Sequence, residues 1–454
     1  MIPSLRHVFA LVLVLAAAVG AGTAFALDDP AANETEVNNA IDGGAAYLLT
    51  QQGVGTDPGC WTSSGVVTGV TALAMLSILN SQDGGYASLD ASTQGAIDDG
   101  TACLLDRVQT DGTIVDFVGE LSTYNTSIAI WALSSVPSTP DIAGAIAGGR
   151  AWLLDNQYDA NTAGVRDTAG ELDGGWYYEG GSTSGFVEHS NSSFALQALA
   201  ITGGIPAAEA GLAQGFFTCL QNRLPVCANG DVATGIDGGF IYSHQLTKGG
   251  ARTSQTGSGV FALRLAGVAA SDGRITDGIS FLDEALNQNP CNNMLHADSG
   301  ALDDTHWSES GDLVHYAQWA ATKAYELAGV ADDVNDTNNW FYELANCLVH
   351  EQEEAGSFPA SDREDAILAT SFALLTLERV TPVIEPTPTP TPAPTATATA
   401  TPSPTPTVAA VVQLPRTGGT PSDGGGLPWL AIAAGALALT SGGLVFAYKT
   451  RRAR

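Results

Sequence analysis

The sequence predicts an all-α protein arranged as an (α/α)6 toroid, in which six outer helices surround six inner helices. A ten-residue phrase, Ala-Ile-x-x-Gly-x-Ala-x-Leu-Leu, occurs at residues 40–49, 96–105 and 145–154. A fixed period of about fifty residues is typical of folds stacked from repeated units. Apolar positions of the phrase follow helical spacing, so each copy predicts one outer helix.

Each outer helix is followed by a glycine-rich turn and a second, more apolar helix. Weaker copies of the outer helix lie at residues 211–224, 274–286 and 340–351. The inner helices are predicted at residues 66–79, 124–135, 191–201, 256–268, 313–327 and 366–380. Small residues at regular spacing, as in Thr126-x-x-Ala129-x-x-Ala132, allow such helices to pack closely. Six pairs without a polar capping repeat favour a closed ring over residues 27–382; an open superhelical solenoid is the alternative.

The turns after the outer helices share a Gly-x-aromatic pattern, and a glutamine ends the helix before each of them. The four turns are Gly59-Cys60-Trp61, Gly174-Gly175-Trp176, Gly238-Gly239-Phe240 and Gly356-Ser357-Phe358, and the glutamines are Gln52, Gln157, Gln221 and Gln352. Glycine permits the tight backbone, and the aromatic ring can fill the gap between helix pairs. This pattern resembles the QW repeat of squalene and oxidosqualene cyclases and of the protein prenyltransferase β-subunits. The resemblance covers roughly residues 35–382 and implies their toroid fold.

The chemistry of that family is not intact in this sequence. Its cyclases protonate an alkene with an Asp-x-Asp-Asp motif, and its prenyltransferases use an Asp, Cys and His zinc site. The nearest acidic groups are Asp303 and Asp304 with His306, and Glu364 with Asp365. These five are the candidate catalytic residues at the rim of the inner helices, although carboxylates at a helix N-terminus also favour its dipole. We therefore expect a protein without the family's enzyme activity, and no cofactor.

Three classes of function fit such a fold. Binding of an extracellular ligand at the mouth of the ring is the favoured function. The candidate ligand-binding residues are His189, Trp307, His315 and Tyr316. Glycan cleavage is the alternative, because exported (α/α)6 enzymes use two carboxylates across a groove, and Glu188 is one candidate. Genuine terpenoid cyclisation or prenyl transfer ranks third. A buried acid among aromatic rings would favour cyclisation, two facing carboxylates would favour hydrolysis, and a shallow or side-chain-filled centre would favour display or adhesion.

The N-terminus predicts export, and a stalk follows the toroid. Residues 1–26 have the features of a signal peptide, because Arg6 and His7 precede an apolar run and Ala24-Phe25-Ala26 is a small-x-small cleavage site. Residues 383–413 are rich in proline and threonine, a composition that holds the chain extended without a core. The chain is thus predicted to stand outside the cell.

The C-terminus, residues 414–454, resembles the cell-wall sorting signal of surface proteins. Leu414-Pro415-Arg416-Thr417-Gly418 precedes an apolar stretch at 430–448 that is long enough to span a bilayer, and a basic tail follows. The resemblance implies that a sortase cuts between Thr417 and Gly418 and joins Thr417 to a cell-wall precursor. A permanent single-pass membrane anchor is the alternative.

The charge of the chain excludes some partners. It carries 48 acidic and 17 basic residues, for a formal net charge of −31. An acidic surface repels nucleic acid and anionic lipid, so neither is an expected partner.

Six cysteines in an exported chain predict disulfides. Cys219 and Cys227, which lie on either side of a predicted turn, are the most favourable pair. Nearest-neighbour pairing would then join Cys60 to Cys103 and Cys291 to Cys347. The sequence contains no Cys-x-x-Cys motif, so no metal site is expected.

The sorting motif gives a direct test of anchoring. In a host with a sortase, the wild-type chain should leave the envelope only when the cell wall is digested, because Thr417 is joined to it covalently. Thr417→Ala and Pro415→Ala should abolish this attachment, as measured by immunoblotting of wall and membrane fractions. Arg416→Ala is the control, because the motif leaves that position open. If wild type and Thr417→Ala both fractionate with the membrane, the permanent anchor is correct.

Overall fold

The structure is a computed structural model, and it describes residues 34–116, 121–158, 173–179, 187–222, 237–243, 251–288, 314–332, 339–361 and 364–379. The predicted signal peptide, stalk, sorting motif and apolar stretch at 430–448 lie outside these residues. Within them, none of the helices combines the length and the hydropathy that a membrane crossing requires.

Helices dominate the described residues, which otherwise contain isolated β-bridges in the turns. The outer helices are α1 (Glu34–Gln51), α3 (Ala91–Leu105), α5 (Pro140–Asp155), α7 (Ala207–Leu220), α9 (Gly273–Gln288) and α11 (Trp340–Glu351). The inner helices are α2 (Thr68–Asn80), α4 (Ser122–Ser134), α6 (His189–Ile201), α8 (Thr253–Leu265), α10 (Val314–Ala328) and α12 (Ala366–Leu377). A short 3-10 helix (Gly85–Ser88) lies between α2 and α3. The predicted alternation is confirmed in the part of the chain that the structure describes.

The six inner helices form a closed ring. Each packs against the next along the chain, and α12 packs against α2. The hydroxyl of Ser77 in α2 donates to the carbonyl of Ser371 in α12 at 3.1 Å, a bond between the first and last inner helices. The ring is therefore closed, as the sequence predicts, and the open solenoid does not describe it.

A hydroxyl on most inner helices anchors the turn that precedes the helix. Each accepts a hydrogen bond from a backbone N–H of that turn, at 2.9–3.1 Å. The pairs are Trp61 with Thr71, Ile114 with Thr126, Trp176 with Ser192, Phe240 with Thr256 and Phe358 with Thr370. The regular Thr or Ser of these helices therefore bonds the turn, in addition to allowing close packing.

The glutamines at the ends of four outer helices each form the same pair of hydrogen bonds. The side-chain amide of Gln52 donates to the carbonyls of Gly59 and Ala96, at 2.9 and 2.7 Å. The first carbonyl belongs to its own turn and the second to the next outer helix. Gln157, Gln221 and Gln352 repeat the pattern. Because Gln352 reaches Ala40 at 2.8 Å, the last repeat is bound to the first.

The glycines of the repeated phrase are required by packing. A Cβ at Gly44 would lie 2.6 Å from a methyl of Leu374, and one at Gly100 would lie 2.9 Å from the sulfur of Met75. Both contacts are with inner helices. The phrase is thus the inward face of the outer wall.

Cys60 and Cys103 are joined by a disulfide, the arrangement in which nearest neighbours pair alongside Cys219 and Cys227. Cys219 and Cys347 are also disulfide-bonded. Cys227 and Cys291 lie outside the described residues, so their predicted pairings stay predictions.

Substitutions at two glycines of α5 test the effect of helix propensity and the effect of packing separately. Gly144 is exposed with open space around a Cβ, whereas a Cβ at Gly149 would lie 2.5 Å from Ile130. Gly144→Ala should raise the free energy of unfolding by about 0.5–1 kcal/mol, because alanine restricts the unfolded chain and favours helix. Gly149→Ala should lower it by about 1–3 kcal/mol through overpacking. Chemical denaturation measures both, and equal effects would contradict this assignment.

Candidate functional site

Six side chains at equivalent positions of the inner helices form a layer across the ring. The position lies five residues after the anchoring hydroxyl, and Gln318 takes the place of that hydroxyl in α10. The members of this axial layer are Leu76, Trp131, Gln197, Phe261, Lys323 and Leu375, each at most 1% exposed. Periodicity alone would make such a layer apolar, yet it contains a lysine and a glutamine.

Lys323 is the charged member of the axial layer. Its ammonium donates to Oε1 of Gln197 and lies 4.2 Å from the ring centre of Phe261 and 4.3 Å from that of Trp319. It is also 5.5 Å from Trp131 on α4, which is opposite α10 in the ring. The amine therefore lies near the axis of the toroid. Burial holds the pKa of Lys323 well below its usual range.

Aromatic side chains fill the ring between the axial layer and the N-terminal ends of the inner helices. Trp319 stacks on Phe194 with 6.1 Å between ring centres, and Tyr316 and Phe372 lie 5.8 and 6.0 Å from it. All four side chains are buried. The centre at this level is therefore filled by side chains.

A polar cluster lies at the N-terminal ends of α4 and α6, and Glu188 is its acid. Glu188 precedes α6 in an extended conformation, so its carboxylate accepts hydrogen bonds from the backbone N–H groups of Ser190 and Asn191. The Ser190 hydroxyl and the Tyr242 phenol also donate to it. Tyr242 bonds Tyr178, so the cap joins three segments of the chain.

Burial decides the ionisation of Glu188. The side chain is fully buried, and desolvation raises its pKa to about 7, although the donated hydrogen bonds oppose this shift. An acid of this kind among aromatic rings matches one requirement of a proton-donating enzyme. Ser190, Asn191 and Tyr242 already donate to the carboxylate, however, so Glu188 is a helix cap by its contacts.

Two of the predicted rim residues also cap helices. Glu364 accepts from the backbone N–H of Tyr316 at 2.9 Å and lies 2.9 Å from Nδ1 of His315, at the start of α10. Asp365 accepts from Ile367 and the next residue at the start of α12. The structure thus brings Glu364, His315 and Tyr316 together. The phenol of Tyr316 bonds Ser258, 3.0 Å away, at the N-terminal side of the aromatic layer.

His189 lies apart from that group. Its ring packs edge-on against Phe217 of the outer helix α7 and against Phe240, with 5.0 and 5.9 Å between ring centres. Neither ring nitrogen has a hydrogen-bond partner, and burial lowers the pKa of His189 to about 3, so the imidazole is neutral. Its contacts are those of a packed core side chain between the inner and outer walls.

The remaining predicted site residues, Asp303, Asp304, His306 and Trp307, lie outside the described residues, as does the sorting motif at 414–418. Sequence reasoning missed Lys323 and the tyrosines around Glu188. The signal for Lys323 was a lysine inside an apolar helix, at a position equivalent to Phe261. Among the described residues, no group of three His, Cys, Asp or Glu side chains could hold a metal ion.

Several buried polar atoms of the ring interior lack a hydrogen-bond partner. They include Nε1 of Trp131, Nε1 of Trp319 and both side-chain polar atoms of Asn191. Buried polar groups are hydrogen-bonded in the great majority of cases, so each such atom calls for an explanation. The described interior therefore has hydrogen-bonding capacity that the protein does not use.

Comparison with known proteins gives similarity of fold. No family model and no curated protein matches the sequence. The structure is similar to the type II terpene cyclase MstE from Scytonema (TM-score 0.46, 12% identity, 77% of this chain and 98% of that one). It is also similar to an unsaturated glucuronyl hydrolase mutant from Streptococcus agalactiae (TM-score 0.48, 12% identity, 78% and 93%). Similarity this low transfers no activity to the chain.

The ionisation of Glu188 and His189 makes opposite contributions to stability. The native state keeps the proton of Glu188 up to a pKa of about 7, above its unfolded value, so this contribution falls as pH rises from about 4.5 to 7. His189 stays neutral in the native state down to about pH 3, so its contribution falls as pH drops below about 6.5. The two effects oppose each other between pH 4.5 and 6.5.

Glu188→Gln should therefore change the pH dependence of stability. Removing the carboxyl leaves the His189 contribution, so the free energy of unfolding should rise with pH more steeply than in wild type, by up to about 1.4 kcal/mol per pH unit. Urea denaturation at pH 4.5–7 measures the slope. Glu34→Gln, at the exposed start of the outer helix α1, is the control that changes one carboxyl without touching the Glu188 cluster. Parallel profiles for Glu188→Gln and wild type would contradict the assignment.

Proposed function

We propose that this chain is an envelope-anchored toroid of the cyclase and prenyltransferase type that binds an extracellular ligand inside its ring. The observation that carries the proposal is the set of unpartnered polar atoms in the ring interior, on Trp131, Trp319 and Asn191. A ligand with hydrogen-bonding groups that displaces some of the side chains filling the centre would satisfy these atoms. The predicted export signal and stalk place the ring where extracellular molecules reach it.

The use of the described carboxylates supports binding over hydrolysis. A glycan-cleaving enzyme needs two carboxyl groups that face a substrate across a groove. Glu188, Glu364 and Asp365 instead accept hydrogen bonds from the first backbone N–H groups of α6, α10 and α12. Each cap stabilises its helix, and a carboxylate that leaves its cap also leaves buried N–H groups without acceptors.

The buried carboxyl of Glu188 favours a second candidate function, that of a proton-donating enzyme related to the cyclases. Its pKa of about 7 and the aromatic rings beyond it are compatible with protonation of an apolar substrate. Because Ser190, Asn191 and Tyr242 already donate to the carboxylate, a substrate would have to displace one of them. Binding without turnover therefore fits the contacts better.

A ligand panel distinguishes the two candidates. The purified full-length chain is incubated with glycans and with small apolar molecules that carry polar groups, and thermal stability, tryptophan fluorescence and product formation are recorded together. A ligand at one hundred times its Kd should stabilise the fold by about 2.7 kcal/mol. Fluorescence should change with it, because Trp131 and Trp319 line the interior, and no product should form.

Glu188→Gln is the control variant for this panel. Under the binding proposal, it should keep the response to the ligand, because Glu188 is a helix cap. Product formation by wild type that is lost in Glu188→Gln would establish the second candidate and overturn the first. Absence of any stabilising ligand in the panel, with no fluorescence change, would also count against binding.

A further inference from the structure

Among the described residues, no acidic side chain pairs with Lys323. The side chain is fully buried, and among the described residues its polar contact is the neutral carbonyl oxygen of Gln197. A buried ammonium is costly unless it is paired and hydrogen-bonded. By contrast, Arg379, which also packs on aromatic rings, is paired with Glu326 and Asp332. Within the described part of the chain, the axial layer thus holds a buried amine that no carboxylate partners.

The rings around Lys323 add further donors of the same kind. Trp131 and Trp319, whose ring centres lie 5.5 and 4.3 Å from the amine, each have an indole N–H without an acceptor. An indole N–H can only donate, and an ammonium has three donors of which Gln197 takes one. The unused groups of the two indoles and of the ammonium form of Lys323 are thus donors, which an acceptor would satisfy.

From this set of groups, we propose that the axial layer binds a monocarboxylate with an apolar body. The inference rests on the proposed function and names the ligand class for the same interior. A carboxylate offers two acceptor oxygens with about four lone-pair sites, enough for the ammonium and the two indoles. Its single negative charge balances the single charge of Lys323. Phe261, Phe194 and Phe372 provide the apolar surroundings that suit the rest of the molecule.

Binding should be accompanied by uptake of a proton. Without an anion, burial favours the neutral amine of Lys323, and a carboxylate beside it restores the ammonium. Binding should also be slow, because Lys323, Trp131 and Trp319 are each at most 1% exposed, so the ligand enters through a transient opening. Proton uptake distinguishes this site from adsorption of an apolar molecule on the surface.

Benzoate is the probe, and benzyl alcohol is its neutral match. The purified full-length chain should bind benzoate by calorimetry, with proton uptake detected from the difference between two buffers of unequal ionisation enthalpy. Lys323→Met should weaken the affinity for benzoate by about 10- to 100-fold, because a hydrogen bond to a charged group is lost. Trp131→Phe and Trp319→Phe should each weaken it by about 2- to 10-fold, because one neutral donor is lost.

Two controls keep the test interpretable. Lys323→Met should be at least as thermally stable as wild type without ligand, since an apolar side chain replaces a buried amine that is costly to desolvate, so its loss of binding is not unfolding. Arg379→Met removes a cation that is already paired and should leave benzoate binding unchanged.

Three results would overturn the assignment: no benzoate binding by wild type, equal binding by Lys323→Met, or equally tight binding of benzyl alcohol. If benzoate does not bind while another ligand of the broader panel does, the proposed function stands and the proposal of a monocarboxylate site is wrong. If benzoate binds only with proton uptake that Lys323→Met removes, both stand.

Discussion

The hydrogen bonds of four glutamine side chains hold the repeats of this toroid together. Each amide spans from its own glycine turn to the next outer helix, and Gln352 carries the pattern from the last repeat to the first. The two hydrogen bonds of each glutamine contribute about 1 kcal/mol each in net stability. They join four of the six neighbouring pairs of outer helices, including the last helix and the first.

Ring closure explains why the inner helices are buried on every side. In α2 and α12 nearly all residues are buried, because each helix faces two inner neighbours, an outer helix and the axis. Such helices cannot show an amphipathic pattern, and their polar side chains need partners inside the protein. The anchoring hydroxyls satisfy this requirement through the turns. Lys323 satisfies it only partly, which makes the axial layer the chemically unusual part of the interior.

The acidic groups illustrate how one residue type serves different purposes. A carboxylate at the start of an inner helix satisfies backbone N–H groups that would otherwise be buried without acceptors. Glu188, Glu364 and Asp365 all make such bonds. The same location is where a toroid enzyme would place its catalytic acid, so position along the chain does not separate the two roles. The number of protein donors around each oxygen does.

The sequence by itself determined the repeat, the alternation of outer and inner helices and the Gly-x-aromatic turns, because all of them are local patterns with a helical or turn period. The Cys60–Cys103 disulfide was one of several pairings that the sequence left open, and the fold decided it. Only the tertiary structure decided what lies at the axis. In α10 the anchoring position holds Gln318 in place of a hydroxyl. The sequence pattern therefore does not show that Lys323 is equivalent to Phe261 and Trp131. The cluster around Glu188 unites Tyr178, Tyr242 and Ser190 from separate turns and a helix. Contacts across the ring join residues far apart along the chain, and no local period encodes them.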